Sequence, residues 1–455
     1  MEPPDREALL TSFRSVFSTT SPVYFVRAPG RINLIGEHTD YNGFPVMPLA
    51  IDRAIRAVFS PRDDRFVSIR NVADKYSPRK FRIKRRIPRH PQGDWVNYVK
   101  AGVQGIISRL QERRDKLLPD LRGFDCLFDG NIPPAAGLSS SSALVVASAL
   151  AFCAVNELKV LRRELATLMA ESEHYVGTRG GGMDQAICLL GQKDHVLKID
   201  FFPLRTAPAP LPPDYSILAA HSTVPAAKTQ AQMQAYNRRV LECRLGTTLL
   251  GRATGNPDVV RLADLVDEPT GWTPTKLVDQ LSDMLDGSRT VTLARVAALL
   301  DTGEDELRHW LRSETALEEA PQSSECLKIL PRCRHVFSEA RRVEEAFQKL
   351  RAGDADAVGR LLDRSHRSCA EDYEISCPEL DRLTAMMRDA GAAGARLTGA
   401  GFGGFAIGLV RERDVPAVTD VLSRGFYGPR GLEPSDYVFE FTPQDGASVT
   451  PVNQM

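Results

Sequence analysis

Neither charge is in excess: Lys+Arg and Asp+Glu each total 58 in the 455-residue chain. A balanced chain offers no broad cationic face for nucleic acid or an anionic membrane, although a local basic pocket stays open. Long hydrophobic runs are also missing. The longest, residues 143–155, falls short of the about 20 apolar residues that cross a bilayer. The first residues, MEPPDREALL, lack the basic-then-apolar order of a secretory leader. Cytoplasmic location is therefore the expectation. None of the eight cysteines (126, 153, 188, 243, 326, 333, 369 and 377) forms a CxxC pair, which removes the usual zinc and thioredoxin-like motifs. They read as reduced thiols. There is no heptad seam, internal repeat or long low-complexity region, so a monomer is the default.

What is present is an ordinary globular balance, 43% hydrophobic and 25% charged, in a chain too long for one core. Short β-rich runs at 23–27, 32–35, 46–51, 55–59 and 65–69 are separated by Pro and Gly. A helical pattern begins at Trp95, with Val99 and Val103 on the same face. Another strand is expected at 125–128. Residues 141–158 are apolar nearly all round, as in a helix buried at the centre of a domain. A further helix is expected over 162–175, stopped by the glycines at 180–182, and then a strand at 196–202. The Pro-rich stretch 203–213 places a domain boundary, giving units 1–205 and 206–455. The second unit is mainly helical from Gln230, with amphipathic stretches at 354–370 and 379–390. Strands are expected at 405–410 and 437–441, and disorder after Thr442. Helix-like pieces at 291–300 and 304–312 mark residues 252–323 as a folded insertion. Strands mixed with helices in both halves predict an α+β protein.

Four segments carry chemistry. The first, GRINLIGEHTDYNG at 30–43, sets Glu37, His38, Thr39 and Asp40 between two apolar strands. A solvated turn explains the polarity. Two carboxylates and an imidazole together also make an acceptor-rich surface for vicinal sugar hydroxyls. Metal binding is a rival reading, weakened by the lack of a second His at helical spacing. The second, GNIPPAAGLSSSSA at 130–143, runs into the buried helix. Backbone N–H groups and the dipole at that helix start make an anion site that suits a triphosphate. Ser139, Ser140, Ser141 and Ser142 exceed what a helix cap needs, and one hydroxyl can ligate Mg²⁺. The P-loop pattern GxxxxGKS/T is absent, so this phosphate loop is of another design.

The third segment sets Glu173 upstream of GGGMDQ at 180–185. The glycines permit close backbone approach to a ligand. Asp184 at their edge either caps the next helix or orients an attacking hydroxyl. The fourth, RLTGAGFGGF at 396–405, satisfies GxGxxG literally, but a β-rich run follows it where a dinucleotide site needs a helix. A glycine loop packed against the phosphate site is the better account.

In this order the four segments resemble the motifs of the GHMP kinase superfamily, and GRINLIGEHTDYNGFPVMPLAID resembles the signature of its galactokinase branch. The resemblance spans residues 24–410 and includes DWVNYVK, YNRRVLECR, HVFSEARRVEEAF and SCPELDRL. It implies a two-domain α+β GHMP kinase fold with the active site between the domains, using ATP with Mg²⁺ and phosphorylating galactose at the C1 hydroxyl. By the same resemblance Glu37, His38, Asp40, Gly182 and Tyr236 are sugar-binding. Asp184 and Arg31 form the catalytic pair, Gly137, Leu138 and Ser139 to Ser142 cradle ATP, and Ser141 and Glu173 hold the metal. The Glu-to-Asp spacing is one residue shorter than in many bacterial galactokinases, and Glu171 lies nearby. The glycine triplet and the insertion look more like N-acetylgalactosamine kinases and the longer galactokinases, where a small backbone could leave room for a 2-acetamido group. A non-catalytic sugar and ATP sensor is the competing class. Such sensors lose part of the serine run, which is complete here beside Asp184.

Overall fold

The structure is a computed structural model that describes residues 6–116, 118–133, 137–177, 180–225, 230–267, 269, 271–314, 321–322 and 325–452. The expected strands at 23–27 and 32–35 are one strand, Tyr24–Ile35, that runs through Pro29 and Gly30 with a register shift at that point. Proline within a sheet belongs at such irregularities, where its missing N–H leaves no ladder bond unmade. The expected runs at 46–51 and 55–59 likewise fuse into Met47–Pro61. These strands are the middle of a six-stranded sheet. Its order is Ser448–Pro451, Tyr24–Ile35, Met47–Pro61, Phe124–Gly130, Phe66–Asn71 and Arg79–Arg82.

The edge strand of that sheet corrects the expectation of a disordered tail. Ser448–Pro451 pairs antiparallel with Tyr24 to Arg27, and Val452 N–H donates to the Val23 carbonyl. The tail is polar because edge pairing uses backbone groups, so a side-chain pattern does not announce it. The Pro-rich stretch contains a strand of its own. Arg205–Pro210 pairs with His195–Asp200 as a two-stranded hairpin, and an outer strand tolerates Pro208 and Pro210.

Helix Ser140–Val155 is buried on nearly every side, as its apolar periphery requires, and packs between helix Val96–Glu112 and the large sheet. Helix Arg162–Ser172 ends earlier than expected. A 3-10 turn, Glu173–Val176, follows and is closed by Gly177 at φ 91°, so the glycines at 180–182 are not its stop. They lead instead into helix Met183–Leu190, with Gly182 as its left-handed N-cap.

The second sheet has the order Gly394–Leu397, Phe405–Arg411, Tyr215–His221 and Val438–Phe441, all antiparallel. Alternate residues of its strands face different cores. Ile217, Ala219, Phe405, Ile407 and Leu409 pack with the large-sheet core, whereas Leu218, Ala220, Ala406 and Val410 pack with the helical core. This period-two division makes the sheet a wall shared by the two halves, and explains why its strands are apolar on both faces. Helices Ala355–Ser368 and Pro378–Asp389 pack on it, and Ile329–Arg351 packs against Ala355–Ser368 and Gln230–Ala253. Among the described residues of 252–323 are the short helices Pro274–Met284, Leu293–Leu300 and Glu304–Glu314. All eight cysteines are free thiols. Among the described residues no helix is long and apolar enough to cross a membrane.

Candidate active site

The shift in strand Tyr24–Ile35 is where the first two chemical segments meet. Arg31 N–H donates to the Leu138 carbonyl at 3.2 Å, and a Cβ on Gly30 would stand 2.7 Å from that oxygen. Glycine is needed there because the serine-run loop lies directly on the strand. The Arg31 side chain then reaches two ways. Its Nη1 donates to the Gly137 carbonyl. Nε and Nη2 donate to Asp184 Oδ1 and Oδ2 at 2.8 and 3.0 Å, a bidentate pair that fixes both planes. Ser139 also donates to Asp184 Oδ2. Ser139 is the N-cap of the buried helix and is left-handed at φ 61°, which turns its hydroxyl toward Asp184 rather than into a cap bond. Expected catalytic and phosphate-loop residues are thus joined in one network. Residues 134–136 of that loop lie outside the described residues.

Behind it, Ser142 donates to Glu173 Oε1 at 2.5 Å, and Gln185 donates to Ser142 at 3.3 Å. Glu173 and Ser142 are buried. Among the described residues no three His, Cys, Asp or Glu side chains converge as a metal cluster. The fourth segment closes over the loop as expected: a Cβ on Gly399, at φ 85°, would lie 3.1 Å from the Gly137 carbonyl.

The sugar-segment residues divide into two kinds of environment. Asp40 starts the short turn Asp40–Asn42 and accepts backbone N–H bonds from Tyr41 and Met183. Burial first, and the Asp184 charge second, push its carboxyl up to about 6. Tyr236, on helix Gln230–Ala253, sits against the His38 ring with centroids 5.2 Å apart, and its hydroxyl is electrostatically coupled to Asp40 and Asp184. Asp40, Asp184, Arg31, His38 and Tyr236 therefore share one neighbourhood. Glu37 is set behind it. Its carboxylate accepts from Arg396 Nη1 at 2.7 Å, from Gly399 N–H at 2.6 Å and from Asn33, all buried. Glu37 and fully buried Arg396 thus bind the sugar segment to the glycine loop.

His38 Nε2 faces the Ala400 carbonyl at 3.1 Å and so carries the proton, while Nδ1 accepts from the Tyr41 hydroxyl at 2.9 Å. Burial drives this ring down to about 3, so it stays neutral. Tyr41 in turn bonds Tyr373 at 2.7 Å, and Tyr373 bonds Cys243 at 3.1 Å. The Tyr373 ring also lies between His38 and His335, at 4.8 and 4.4 Å. Sequence reasoning missed Arg396, Tyr373 and His335 as parts of the site. A charged side chain in the otherwise apolar strand Gly394–Leu397 is a signal for Arg396; Tyr373 and His335 had none.

Of the glycine triplet, Gly181 abuts the turn that carries Asp40, whereas nothing lies within 4 Å of a Cβ on Gly180. A Cβ on Gly181 would stand 2.4 Å from Asp40 Cγ and 2.4 Å from Tyr41 N. The space that expectation reserved for an acetamido group at this glycine is filled by the sugar turn.

Comparison with known proteins agrees with this geometry. A profile described as the galactokinase galactose-binding signature matches residues 11–61, and profiles for the N-terminal and C-terminal GHMP kinase domains match 97–192 and 345–428. The galactokinase of Dictyostelium discoideum is 34% identical, with 97% of this chain and 93% of that protein aligned. The chain belongs to the galactokinase family. The galactokinase of Roseiflexus is 35% identical over 92% of this chain and 91% of its own length. The crystal structure of Lactococcus lactis galactokinase complexed with galactose superposes with a TM-score of 0.76 at 28% identity, covering 98% of this chain and 99% of that one. The α+β GHMP kinase fold of this galactokinase-family chain is that of its relatives.

Proposed function

We propose that this chain transfers the γ-phosphoryl group of ATP to the C1 hydroxyl of galactose, giving galactose 1-phosphate and ADP. The observation that carries the reading is the Arg31 side chain, which bonds Asp184 and the phosphate-loop carbonyl of Gly137 at once. One guanidinium is thereby held where the acceptor and the phosphates must meet. Phosphoryl transfer passes through a loose transition state that asks the protein mainly for position and charge stabilisation. Asp184, oriented by Arg31 and Ser139, accepts the hydrogen bond of the attacking hydroxyl and takes its proton as the new P–O bond forms. Arg31 stabilises charge on the phosphoryl oxygens. Gly137, Leu138 and Ser139 to Ser142 supply hydroxyl and helix-start donors for the phosphates. Asp40, Tyr236 and His38 face the sugar, and Glu37 with Arg396 supports that surface from behind.

Mg²⁺ fits the donor set. One buried carboxylate, Glu173, beside a serine hydroxyl is the sparse ligand set of an ion that keeps its remaining contacts for phosphate and water. When bound, the ion supplies countercharge to the phosphate oxygens. Glu173 with Ser141 or Ser142 would hold it.

The name shared by the relatives and the filled space at Gly181 both favour galactose over N-acetylgalactosamine. ADP release with ATP, Mg²⁺ and each sugar in turn tests the reading. Turnover with galactose and little with the acetamido sugar is the expected result. The reverse preference overturns the substrate, and silence with both overturns the enzyme in favour of a sensor.

A further inference from the structure

The insertion reaches the sugar-binding turn at Gly43, through Arg261 and Ala263. Arg261 lies just before the 3-10 turn Leu262–Leu265, and its own backbone and side chain are both tied to Asp264. Arg261 N–H donates to Asp264 Oδ2 at 3.0 Å, Nε donates to the same oxygen at 3.1 Å, and Nη2 donates to Oδ1 at 3.1 Å. A side chain held at both ends is a rigid strut. Its stem presses on Gly43: a Cβ there would meet Arg261 Cδ at 3.1 Å and Ala263 Cβ at 2.9 Å. Gly43 is the left-handed residue that ends the turn Asp40–Asn42, and its N–H donates to the Asp40 carbonyl.

The other end of Arg261 touches the opposite wall. Its guanidinium lies 3.8 Å from the ring centroid of Phe202, a large aromatic that is nonetheless 57% exposed. Phe202 follows the strand His195–Asp200, and its neighbour Phe201 lies 3.8 Å from where a Cβ of Gly182 would be. Arg261 therefore spans from the turn that presents Asp40 to the element that abuts the N-cap of the Asp184 helix. An exposed Arg–Phe stack by itself adds little to stability. Here its stem leans on Gly43, which ends the turn that carries Asp40, and its guanidinium on the ring of Phe202, next in sequence to the Phe201 ring that approaches Gly182.

We propose that Arg261 is a positioning residue for the acceptor sugar: the insertion uses it to hold the Asp40–Gly43 turn at its working distance from Asp184. The inference rests on the galactokinase reading above. The first test is the pair Arg261→Ala and Phe202→Ala, assayed by ADP release with galactose and ATP varied separately. The expected result is a galactose KM raised about five-fold in each, the scale of one such contact, with the ATP KM within about two-fold of wild type. The double variant should be no worse than the poorer single one, because the two residues act as a unit. Arg261→Lys, which keeps the stem and the charge but loses the fork on Asp264 and the guanidinium stack on Phe202, should recover only part of the loss. Equal rises in both KM values, or an unchanged galactose KM in either alanine variant, overturns the positioning role while leaving the kinase reading intact. Phe202→Ala decides the matter if Arg261→Ala proves poorly folded. A wild-type protein without turnover on galactose removes the proposed function, and the inference with it.

Discussion

Replacing Gly181 with alanine inserts one methyl group into space that the protein already occupies. The new Cβ would stand 2.4 Å from Asp40 Cγ, 2.4 Å from Tyr41 N and 2.5 Å from the Asp40 carbonyl carbon. Ordinary contacts begin about 1 Å further out, and two of the three atoms are backbone, so a side-chain rotation cannot relieve the clash. The turn that carries Asp40 must move by a distance of that order. Overpacking of this kind costs about 1–3 kcal/mol, and a shift of about 1 Å in a substrate-positioning group can lower turnover on the order of 100-fold. We expect Gly181→Ala to reduce kcat/KM for galactose by about 10- to 100-fold, with the KM for ATP nearly unchanged. Gly180→Ala is the internal control, because no atom lies within 4 Å of its Cβ position and neither glycine has a positive φ. It should stay within about 0.5 kcal/mol of wild type in stability and match it in activity. Initial rates of ADP release on both variants, with melting curves alongside, decide the point. Wild-type kinetics in Gly181→Ala refutes the packing argument. Equal losses in both variants would refute it too, by assigning the triplet's role to backbone freedom.

Asp184→Asn keeps the shape of the Arg31 pair but removes the proton acceptor; turnover should fall by about 100- to 10,000-fold while ATP binding, read by calorimetry, persists. Glu37→Gln leaves the Arg396 guanidinium buried with Glu339 at 4.0 Å as its nearest remaining carboxylate, so a loss of roughly 3–5 kcal/mol should appear as a lower melting temperature. Weak sugar binding at an unchanged melting temperature would contradict the supporting role given to Glu37. Because the Asp40 carboxyl lies at about 6, its charged form is lost as the pH falls through that value, and the galactose KM should rise below about pH 6; Asp40→Asn should abolish that step. His38 and His335 sit at about 3 and about 4, below the ordinary 6.5. The unfolded chain therefore binds more protons as the pH drops below 6.5, so stability is full above that pH and declines toward 4 and 3, measurable as a falling denaturation midpoint.

The chemistry of this protein was legible in local sequence. GEHTD, the serine run, GGGMDQ and the glycine loop each need particular residue types at short spacing. The helix after the serines is apolar on all sides and so declares its own burial. Alternation and turn residues were enough to read α+β. The pairings between segments were decided only in the folded chain. Arg396 and Glu37 are 359 residues apart and are joined because the glycine loop crosses the sugar strand. Tyr373 has no motif; its place between two histidines depends on how the turn Cys369–Tyr373 and helix Ile329–Arg351, which carries His335, lie against the turn that carries His38. Ser448–Pro451 became a strand because an open sheet edge accepts any backbone with free N–H and C=O groups. Pro29 and Gly30 read as a break, yet they mark the point where a continuous strand makes room for the serine-run loop. Local patterns encode what a segment can form and which reactions its side chains suit. Which segments touch depends on contacts hundreds of residues apart, and those exist only once the two cores have closed on their shared sheet.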